Sequence, residues 1–157
     1  MATKQKSWQE KLCQAKGLPK IVKLSGKAAT GWGGARMVVP SPLEVDAVMK
    51  KVPQGKLATI AEIRATLAKK FKTDIACPLT SGIFTWIAAN AAEEQRQQGK
   101  KNLTPWWRTL KTGGELNPKY PGGIINQKKL LAKEGHKIIQ KGQRYFVADF
   151  EKSLAKV

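Results

Sequence analysis

Residues 52–63 of this 157-residue chain read Val-Pro-Gln-Gly-Lys-Leu-Ala-Thr-Ile-Ala-Glu-Ile, a stretch that predicts a turn followed by the start of a helix. The turn falls at 53–55, because proline and glycine are common where a chain changes direction. Thr59 and Glu62 have capping-box spacing, in which each side chain accepts a hydrogen bond from the other residue's backbone N–H. Apolar residues then recur every three or four positions, which predicts a helix that ends near Phe71.

A further helix is predicted on each side of this one. The earlier helix covers about 41–51 and opens with Ser-Pro, a good N-cap followed by proline at the first helical position. The later helix begins at Pro78 or Thr80 and ends near Gln98. Its predicted buried stripe consists of apolar side chains at helical spacing, Ile83, Phe84, Ile87, Ala88 and Ala91. Two capped helices joined by the short connection 72–77 are typical of a helix-turn-helix, whose second helix enters a DNA groove.

The predicted fold is α+β and mainly helical, with an N-terminal arm over 1–40, either packed on the domain or flexibly attached to it, and a winged helix-turn-helix domain over 41–157. The arm contains a short helix and then a Gly- and Lys-rich stretch, in which Trp32 is expected to pack on the domain. Near the C-terminus a helix is predicted over 125–134. The Lys-Gly-Gln sequence at 141–143 predicts the turn of a β-hairpin, and a basic hairpin beside a helix-turn-helix indicates a wing.

The composition predicts a polyanionic partner. Lysine and arginine total 29 against 11 aspartate and glutamate residues, for a formal net charge of +18. Nucleic acid is the commonest user of such an excess, and the alternative is a surface that is merely well solvated. Two cysteines and one histidine give no metal-ligand spacing and no disulfide framework, so we expect neither a metal nor a cofactor. No segment has the pattern of a leader or a membrane span, and we expect a cytoplasmic protein that does not bind membranes.

Residues 104–108 read Thr-Pro-Trp-Trp-Arg, and together with 52–63 they resemble motifs of a known family. The earlier stretch resembles the start of the helix-turn-helix in alkylguanine-DNA alkyltransferases, and the later one resembles their active-site motif Pro-Cys-His-Arg. Stretches that resemble the family's C-terminal glycine segment and last helix follow at 113–116, 120–123, 127–131 and 134–135. The similarity spans 43–135 and implies the C-terminal domain fold of that family.

The resemblance implies that the chain is not an enzyme. In the family a cysteine thiolate accepts the alkyl group from guanine, activated by the adjacent histidine and by a glutamate of the last helix. Trp106 and Trp107 stand at the cysteine and histidine positions, and Glu134 matches the glutamate. Indole supplies neither a nucleophile nor a base near neutral pH. The chain therefore resembles in particular the non-catalytic alkyltransferase-like proteins, which carry tryptophan at the cysteine position and commonly keep the histidine.

The expected DNA contacts lie at the start of the predicted recognition helix and around the tryptophan pair. Hydroxyl side chains suit phosphate oxygens, and lysine and arginine add charge; the candidates are Thr80, Ser81, Thr85, Lys100, Lys101, Arg108 and Lys111. Lys141 and Arg144 extend this set onto the hairpin. A scaffold role is the alternative for Arg108, because in the family this arginine is largely structural.

The expected base pocket consists of Trp106, Trp107 and Glu134, since aromatic walls stack an extruded base. The alternative is that both tryptophans fill core space left by the missing cysteine and histidine. Ile60 and Ser81 stand at the positions of the family's base-flipping tyrosine and arginine finger. The resemblance therefore implies DNA binding without the groups that offset the cost of unstacking a base.

The expected function is non-enzymatic binding of double-stranded DNA by a monomer, related to the sensing of damaged or alkylated bases in DNA repair, with repair proteins as further partners. One alternative is an active alkyltransferase that uses Cys77, which directly precedes a predicted helix and so faces the positive end of its dipole. A cysteine in such an apolar stretch is more often buried and inert. The other alternative is a protein- or RNA-interaction module that retains only the fold.

Overall fold

The fold is described from a computed structural model, which defines residues 6–32 and 34–157 apart from the side chains of Ala28 and Trp32. The expected packing of Trp32 lies outside these described residues. Helices make up most of the regular structure: α1 Trp8–Cys13, α2 Gly26–Trp32, α3 Pro42–Lys50, α4 Ile60–Lys70, α5 Pro78–Gln97 and α6 Gly123–Lys133. Short 3-10 helices cover Trp106–Arg108 and Phe150–Ser153.

Local sequence determines where α3 and α4 begin. The Ser41 hydroxyl accepts a hydrogen bond from the backbone N–H of Glu44 at 3.3 Å, which caps α3. The predicted capping box of α4 is confirmed, since Glu62 Oε2 accepts from the Thr59 backbone N–H at 2.9 Å. After α4 the chain makes a short connection to α5, and the two form the predicted helix pair.

Short strands link the helices: β1 Lys20–Lys23, β2 Arg36–Val39, β3 Ala58–Thr59, β4 Ile75–Ala76, β5 Thr109–Leu110, β6 Ile138–Lys141 and β7 Arg144–Val147. β1 pairs antiparallel with β2, and β2 pairs in parallel with β4. β3 and β5 form a parallel pair, and β6 and β7 form the predicted antiparallel hairpin. The sequence does not predict β1 and β2, because their Gly- and Lys-rich surroundings lack strand alternation.

The main core lies between α3, α4 and α5. Buried aliphatic side chains of α3 and α4 fill it, among them Val45, Met49, Ile63 and Leu67. α5 contributes mostly alanines there, so that its backbone lies close to α3. A smaller cluster beneath α6 and the hairpin consists of Leu57, Leu110, Leu116, Leu131 and Val147. Its side chains connect the two parallel strands β3 and β5 to the C-terminal part of the chain.

Helix α1 is attached to α5 by hydrogen bonds and by stacking. The Glu94 carboxylate on α5 accepts from the backbone N–H groups of Trp8 and Gln9, both at 3.1 Å. The Trp8 ring meets the Trp86 ring edge-on with centroids 4.7 Å apart, and Leu12 is buried in the main core. α1 therefore packs on the same helix that begins at Pro78.

The C-terminal residues close the fold beside β3. The Leu57 backbone N–H donates to Ser153 O at 2.8 Å, and the Ala155 N–H donates to Leu57 O at 2.8 Å. Within the described ranges, no helix combines the length and the apolar character needed to cross a membrane. The same residues contain no group of three or more His, Cys, Asp or Glu side chains placed to hold a metal ion.

Candidate nucleic-acid interface

A groove of about 920 Å³ runs along the first turns of α5. One wall is α5 from Pro78 to Trp86, and the other is the segment 111–119. Ile60 and Arg64 of α4 and Arg144 of β7 complete it. We call this the α5 groove. It contains residues from both helices of the pair and from the hairpin, the parts that a winged helix-turn-helix uses to contact DNA.

The phase of α5 determines which side chains reach this groove. Ser81, Thr85, Ala88 and Ala92 are buried against the core, and they recur at helical spacing. Small side chains on this face allow close packing on α3. The larger aliphatic side chains of the first turns therefore project outward, with Leu79 69% and Ile83 50% exposed.

The opposite wall, 111–119, is held by hydrogen bonds to the hairpin and to the helices. The Leu116 N–H donates to Tyr145 O of the hairpin at 2.8 Å, and the Trp86 indole N–H donates to Lys119 O at 3.1 Å. Gly114 has a φ of +84°, and a Cβ there would collide with the Phe150 ring, so only glycine fits this turn. Because both walls are fixed, the width of the α5 groove is largely preformed.

The rim of the α5 groove is cationic. Arg64, Lys111, Lys119 and Arg144 line it against a single carboxylate, Glu115. Arg144 makes a two-pronged contact with that carboxylate, at 2.7 Å and 3.1 Å, and Lys111 lies 3.7 Å from it. The hydrogen bonds from Arg144 hold the pKa of Glu115 below its ordinary value, even though burial opposes this. Four cations against one ionised carboxylate leave the rim positive, as a phosphate backbone requires.

The tryptophan pair lies behind the α5 groove. Trp106 is buried, and its ring meets Trp107 and Tyr120 edge-on with centroids 5.9 Å and 5.6 Å away. Burial raises the pKa of Tyr120 to about 12, and its side-chain hydrogen bonds with Thr85 and Asn117 only partly offset this. The 3-10 segment is also attached to α3, because the hydroxyl of the nearby Thr104 donates a short, buried hydrogen bond to the Asp46 carboxylate of α3. Trp106 is thus a core residue.

Trp107, Arg108 and Glu134 form a second compact unit, which we call the Glu134 cluster. The Trp107 indole N–H donates to Glu134 Oε2 at 2.9 Å, and Arg108 Nε and Nη2 both reach the carboxylate at 2.9 Å. Arg108 Nη1 donates to Val52 O at 2.8 Å. Burial pushes the pKa of Glu134 upward, but the bonds from Arg108, Trp107 and the Gly55 N–H outweigh it and lower the pKa. An ionised, fully engaged carboxylate has no free capacity to act as a base.

Comparisons with known proteins give a likeness of structure alone. No family model matches the sequence, and no curated protein matches it. The structure of S. pombe Atl1, solved in complex with damaged DNA containing O6-carboxymethylguanine, superimposes with a TM-score of 0.51 at 19% identity. That of S. pombe ATL in complex with DNA gives 0.53 at 20% identity, and in each case the match covers 74% of this chain and 94% of the other. This chain has the alkyltransferase-like fold.

The alkyltransferase-like fold and the α+β, mainly helical class predicted from the sequence are thereby confirmed. The hairpin is in the position of a wing, because Arg144 of β7 lines the same groove as the first turns of α5. Lys111 also lines this groove, whereas the Lys141 ammonium on the hairpin lies over the Phe146 ring, 5.4 Å from its centroid.

The prediction that Ser81 and Thr85 contact DNA is wrong, because both side chains are fully buried on the core face of α5. Because Ser81 is buried, its side chain cannot take the place of the family's arginine finger, which has to project from the surface. The Thr80 hydroxyl is buried as well. Ile83, which the sequence places in the buried stripe, is half exposed, so the predicted phase of α5 is wrong in its first turns.

The structure separates Lys100 and Lys101 from the rest of the predicted contact set. Both follow the C-terminal end of α5, where Gln97 lies 11 residues, about 16 Å along the helix axis, beyond Trp86 in the groove. The Lys100 ammonium donates to the Gln9 side chain at 2.9 Å. Arg108 is withdrawn into the Glu134 cluster, and its side chain is 14% exposed. This geometry favours the scaffold alternative for Arg108, and these three residues do not form one face with Lys111.

The predicted base pocket is likewise not one pocket. Trp106 and Trp107 border a separate cavity of about 350 Å³, which shares no lining residue with the α5 groove. Glu134 lies between Arg108 and Trp107 and lines neither space. Trp106 is buried in the interior, whereas Trp107 is only partly buried. Cys77 is buried beside Met37 and Val39, which fits the expected inert thiol.

Sequence reasoning missed three apolar residues of the groove, Leu79, Ile83 and Trp86, and two of its four cations, Arg64 and Lys119. A signal for the first two was present. Small residues at 81, 85, 88 and 92 define an alternative stripe on the same helix, with the aliphatic residues on the other side.

Proposed function

We propose that this chain binds duplex DNA in the α5 groove and does not change it covalently. The observation that carries the proposal is the groove itself, in which the second helix of a helix-turn-helix lies open between four cations. Arg64, Lys111, Lys119 and Arg144 come from three different elements, so together they can follow a phosphate backbone across the groove.

The charge of the whole chain and the structural likeness support a DNA partner. A formal net charge of +18 favours association with any polyanion. Atl1, with which this chain shares its fold, was solved bound to damaged DNA. A groove of about 920 Å³ is also at the upper end of the range of about 300–1,000 Å³ that ligand sites occupy, which leaves room for a nucleotide.

The interior argues against alkyl transfer. Trp106 at the nucleophile position is buried and carries no reactive atom, and Trp107 donates its only polar hydrogen to Glu134. Cys77 is buried in an apolar cluster away from the groove lining. The chain's one histidine, His136, takes no part in the α5 groove. Binding without chemistry is the function that these residues support.

Fluorescence anisotropy of a labelled duplex across a salt series tests the proposal. If the four rim cations each meet a phosphate, the logarithm of affinity falls against the logarithm of salt with a slope of about −3.6. Lys111→Ala and Lys119→Ala should each make that slope shallower by about 0.9. Lys101→Ala is the matched control, because it removes an exposed lysine at the far end of α5. A slope near zero, or equal effects of all three variants, would contradict binding in the α5 groove.

Recognition of a damaged base is a finer proposal on the same surface. We propose that an alkylated guanine is accepted there, and that the protein acts as a monomer beside repair proteins. Titration of duplexes that differ only in one O6-carboxymethylguanine tests the first part, and light scattering tests the second. Single-stranded DNA and RNA serve as competitors. Tighter binding of RNA than of either duplex would favour an RNA-interaction module instead.

A further inference from the structure

Two aliphatic side chains lie open to solvent in the middle of the cationic groove. Leu79 is 69% and Ile83 50% exposed, and they are four residues apart on the first turns of α5. Residues at that spacing are neighbours on a helix surface, so the two side chains form one apolar ridge. We call Leu79 and Ile83 the α5 ridge. A contiguous apolar patch with a polar rim is typical of a contact surface.

The face of α5 that carries the ridge lacks the groups that read bases. Residues 78–86 contain no Asn, Gln, Arg or Lys, the side chains that make two-pronged bonds to adenine or guanine. The hydroxyls of Thr80 and Ser81 are buried. The cations lie around the ridge on other elements, where they can bind phosphates. Recognition by hydrogen bonds to base edges therefore has no donors on this face.

A glycine beside the ridge points to close approach by a partner. Gly82 lines the groove inside α5, and a Cβ added there would meet no atom of the protein within 4 Å. Close packing within the protein therefore does not require a glycine here, although glycine destabilises the interior of a helix relative to alanine. A partner that comes close to the α5 backbone would account for it.

We propose, on the basis of the DNA-binding function above, that the α5 ridge inserts as an apolar wedge between base steps in the minor groove. Leucine and isoleucine are among the residues that proteins use to unstack and kink DNA from that side. The cost of unstacking depends on the step, and it is lowest at flexible pyrimidine–purine steps and at damaged or mismatched positions. The chain then selects duplexes by how easily they deform, and one particular modified base is not required.

Charge complementarity favours DNA as the occupant of this ridge. An apolar partner surface would leave Arg64 and Lys119 without counter-charges and would leave Lys111 and Arg144 to share the single carboxylate of Glu115, whereas a duplex places phosphates on both sides of each groove. The major groove is the other way to use aliphatic side chains, through contacts with thymine methyl groups. That reading predicts a loss of affinity when thymine is replaced by uracil, and the wedge predicts none.

Affinity and bending measured on matched duplexes test the wedge. The duplexes share length and ends and differ at the centre, which is a mismatch, a TA step, or a stiff A-tract; a fourth replaces thymine by uracil. The unmodified protein should bind the mismatch about tenfold tighter than the A-tract, because prior unstacking lowers the cost. End-to-end energy transfer should report a bend in the mismatch and TA duplexes.

Leu79→Ala and Ile83→Ala should each weaken binding of the mismatch duplex about tenfold and abolish the bend, with little effect on the A-tract. Ile125→Ala is the matched control, since it removes an aliphatic side chain that is 83% exposed on α6. Its affinity and bending should equal those of the unmodified protein. Because the ridge residues are exposed, these variants keep their fold, and a melting curve checks this.

Gly82→Ala should change the stability of the fold and the affinity for DNA in opposite directions. The added methyl group meets no protein atom, so better helix propensity should raise the melting temperature by about 1–4 °C. The same methyl group should weaken duplex binding, because it occupies the space into which DNA fits. Stability and affinity then move in opposite directions, which damage to the fold cannot cause. Unchanged affinity in this variant would contradict close approach at this point.

The outcomes distinguish the wedge from the proposed function on which it rests. Absence of any duplex binding at low salt would overturn DNA binding itself. Salt-dependent binding that is equal for all four duplexes, or insensitive to Leu79→Ala and Ile83→Ala, would leave DNA binding in place and overturn the wedge. A loss of affinity on the uracil duplex would assign the ridge to the major groove. Preference for O6-carboxymethylguanine over a mismatch would replace deformability with recognition of the modified base.

Discussion

Arg108 and Lys119 are expected to have opposite effects when each is replaced by alanine, one on folding and the other on binding. Arg108 is 14% and its partner Glu134 7% exposed, and the guanidinium satisfies both the carboxylate and Val52 O. In Arg108→Ala the carboxylate keeps only the Trp107 and Gly55 N–H groups. Removing one partner of a buried ion pair costs about 3–5 kcal/mol, and we take the lower end because these two donors remain.

A loss of about 3 kcal/mol in the free energy of unfolding should lower the melting temperature by about 6–12 °C in a chain of this size. Arg108→Lys keeps the charge but cannot make the two-pronged contact, so its melting temperature should fall between those of the original protein and Arg108→Ala. In urea, the midpoint should shift with an unchanged slope. Lys119→Ala should change stability by less than about 0.5 kcal/mol, because the exposed Lys119 side chain makes no ion pair within the described residues.

For DNA binding we expect the reverse, with a larger effect of Lys119→Ala than of Arg108→Ala. At a temperature where both variants are folded, Arg108→Ala should keep the salt slope of the original protein, since its guanidinium points into the Glu134 cluster. Lys119→Ala should make the slope shallower by about 0.9, one phosphate contact fewer. If Arg108→Ala instead loses a phosphate contact while its melting temperature stays the same, the assignment of Arg108 to the scaffold is refuted.

Acidification and restoration of the family motif give two further predictions. Burial is the main cause that holds the pKa of His136 below its ordinary value of 6.5. As the pH falls below about 6.5, this histidine is therefore protonated in the unfolded chain before it is protonated in the folded one, and the free energy of unfolding should decrease. His136→Gln should remove this decrease. The lowered pKa of Glu134 predicts a further loss below about pH 4.5, visible in melting temperature against pH and absent in Glu134→Gln. The double variant Trp106→Cys, Trp107→His should transfer at most traces of label from isotopically labelled methylguanine DNA, and label on the unmodified protein would contradict the non-enzymatic function.

Features that depend on neighbouring residues could be predicted from the sequence. The capping box of Thr59 and Glu62, the start of α5 at Pro78 and the turn of the hairpin at 141–143 all involve residues within a few positions of one another. Their chemistry is the same in a peptide as in the fold. The motif order around Trp106 also led to the alkyltransferase-like fold, because spacing survives where identity falls to 19–20%.

Features that depend on residues far apart in the sequence could not be predicted. Whether Ile83 or Ser81 faces the core is decided by how closely α5 approaches α3, and both stripes are compatible with a helical period. α1 is fixed by Glu94, 85 and 86 residues away along the chain. Likewise, Arg108 and Lys111 are three residues apart in sequence, yet one binds Glu134 inside the fold and the other reaches the groove. Charge alone cannot tell these two environments apart.

Trp106 connects the core to one wall of the α5 groove. Its ring meets the ring of Tyr120, which directly follows the 111–119 wall, and the Tyr120 backbone N–H donates to Asn117 O of that wall at 3.2 Å. A cysteine at 106 would leave a cavity below Tyr120, and loss of a buried tryptophan to alanine costs about 3–5 kcal/mol. Trp106 therefore also supports the surface proposed to hold DNA. A thiol at this position should weaken that support.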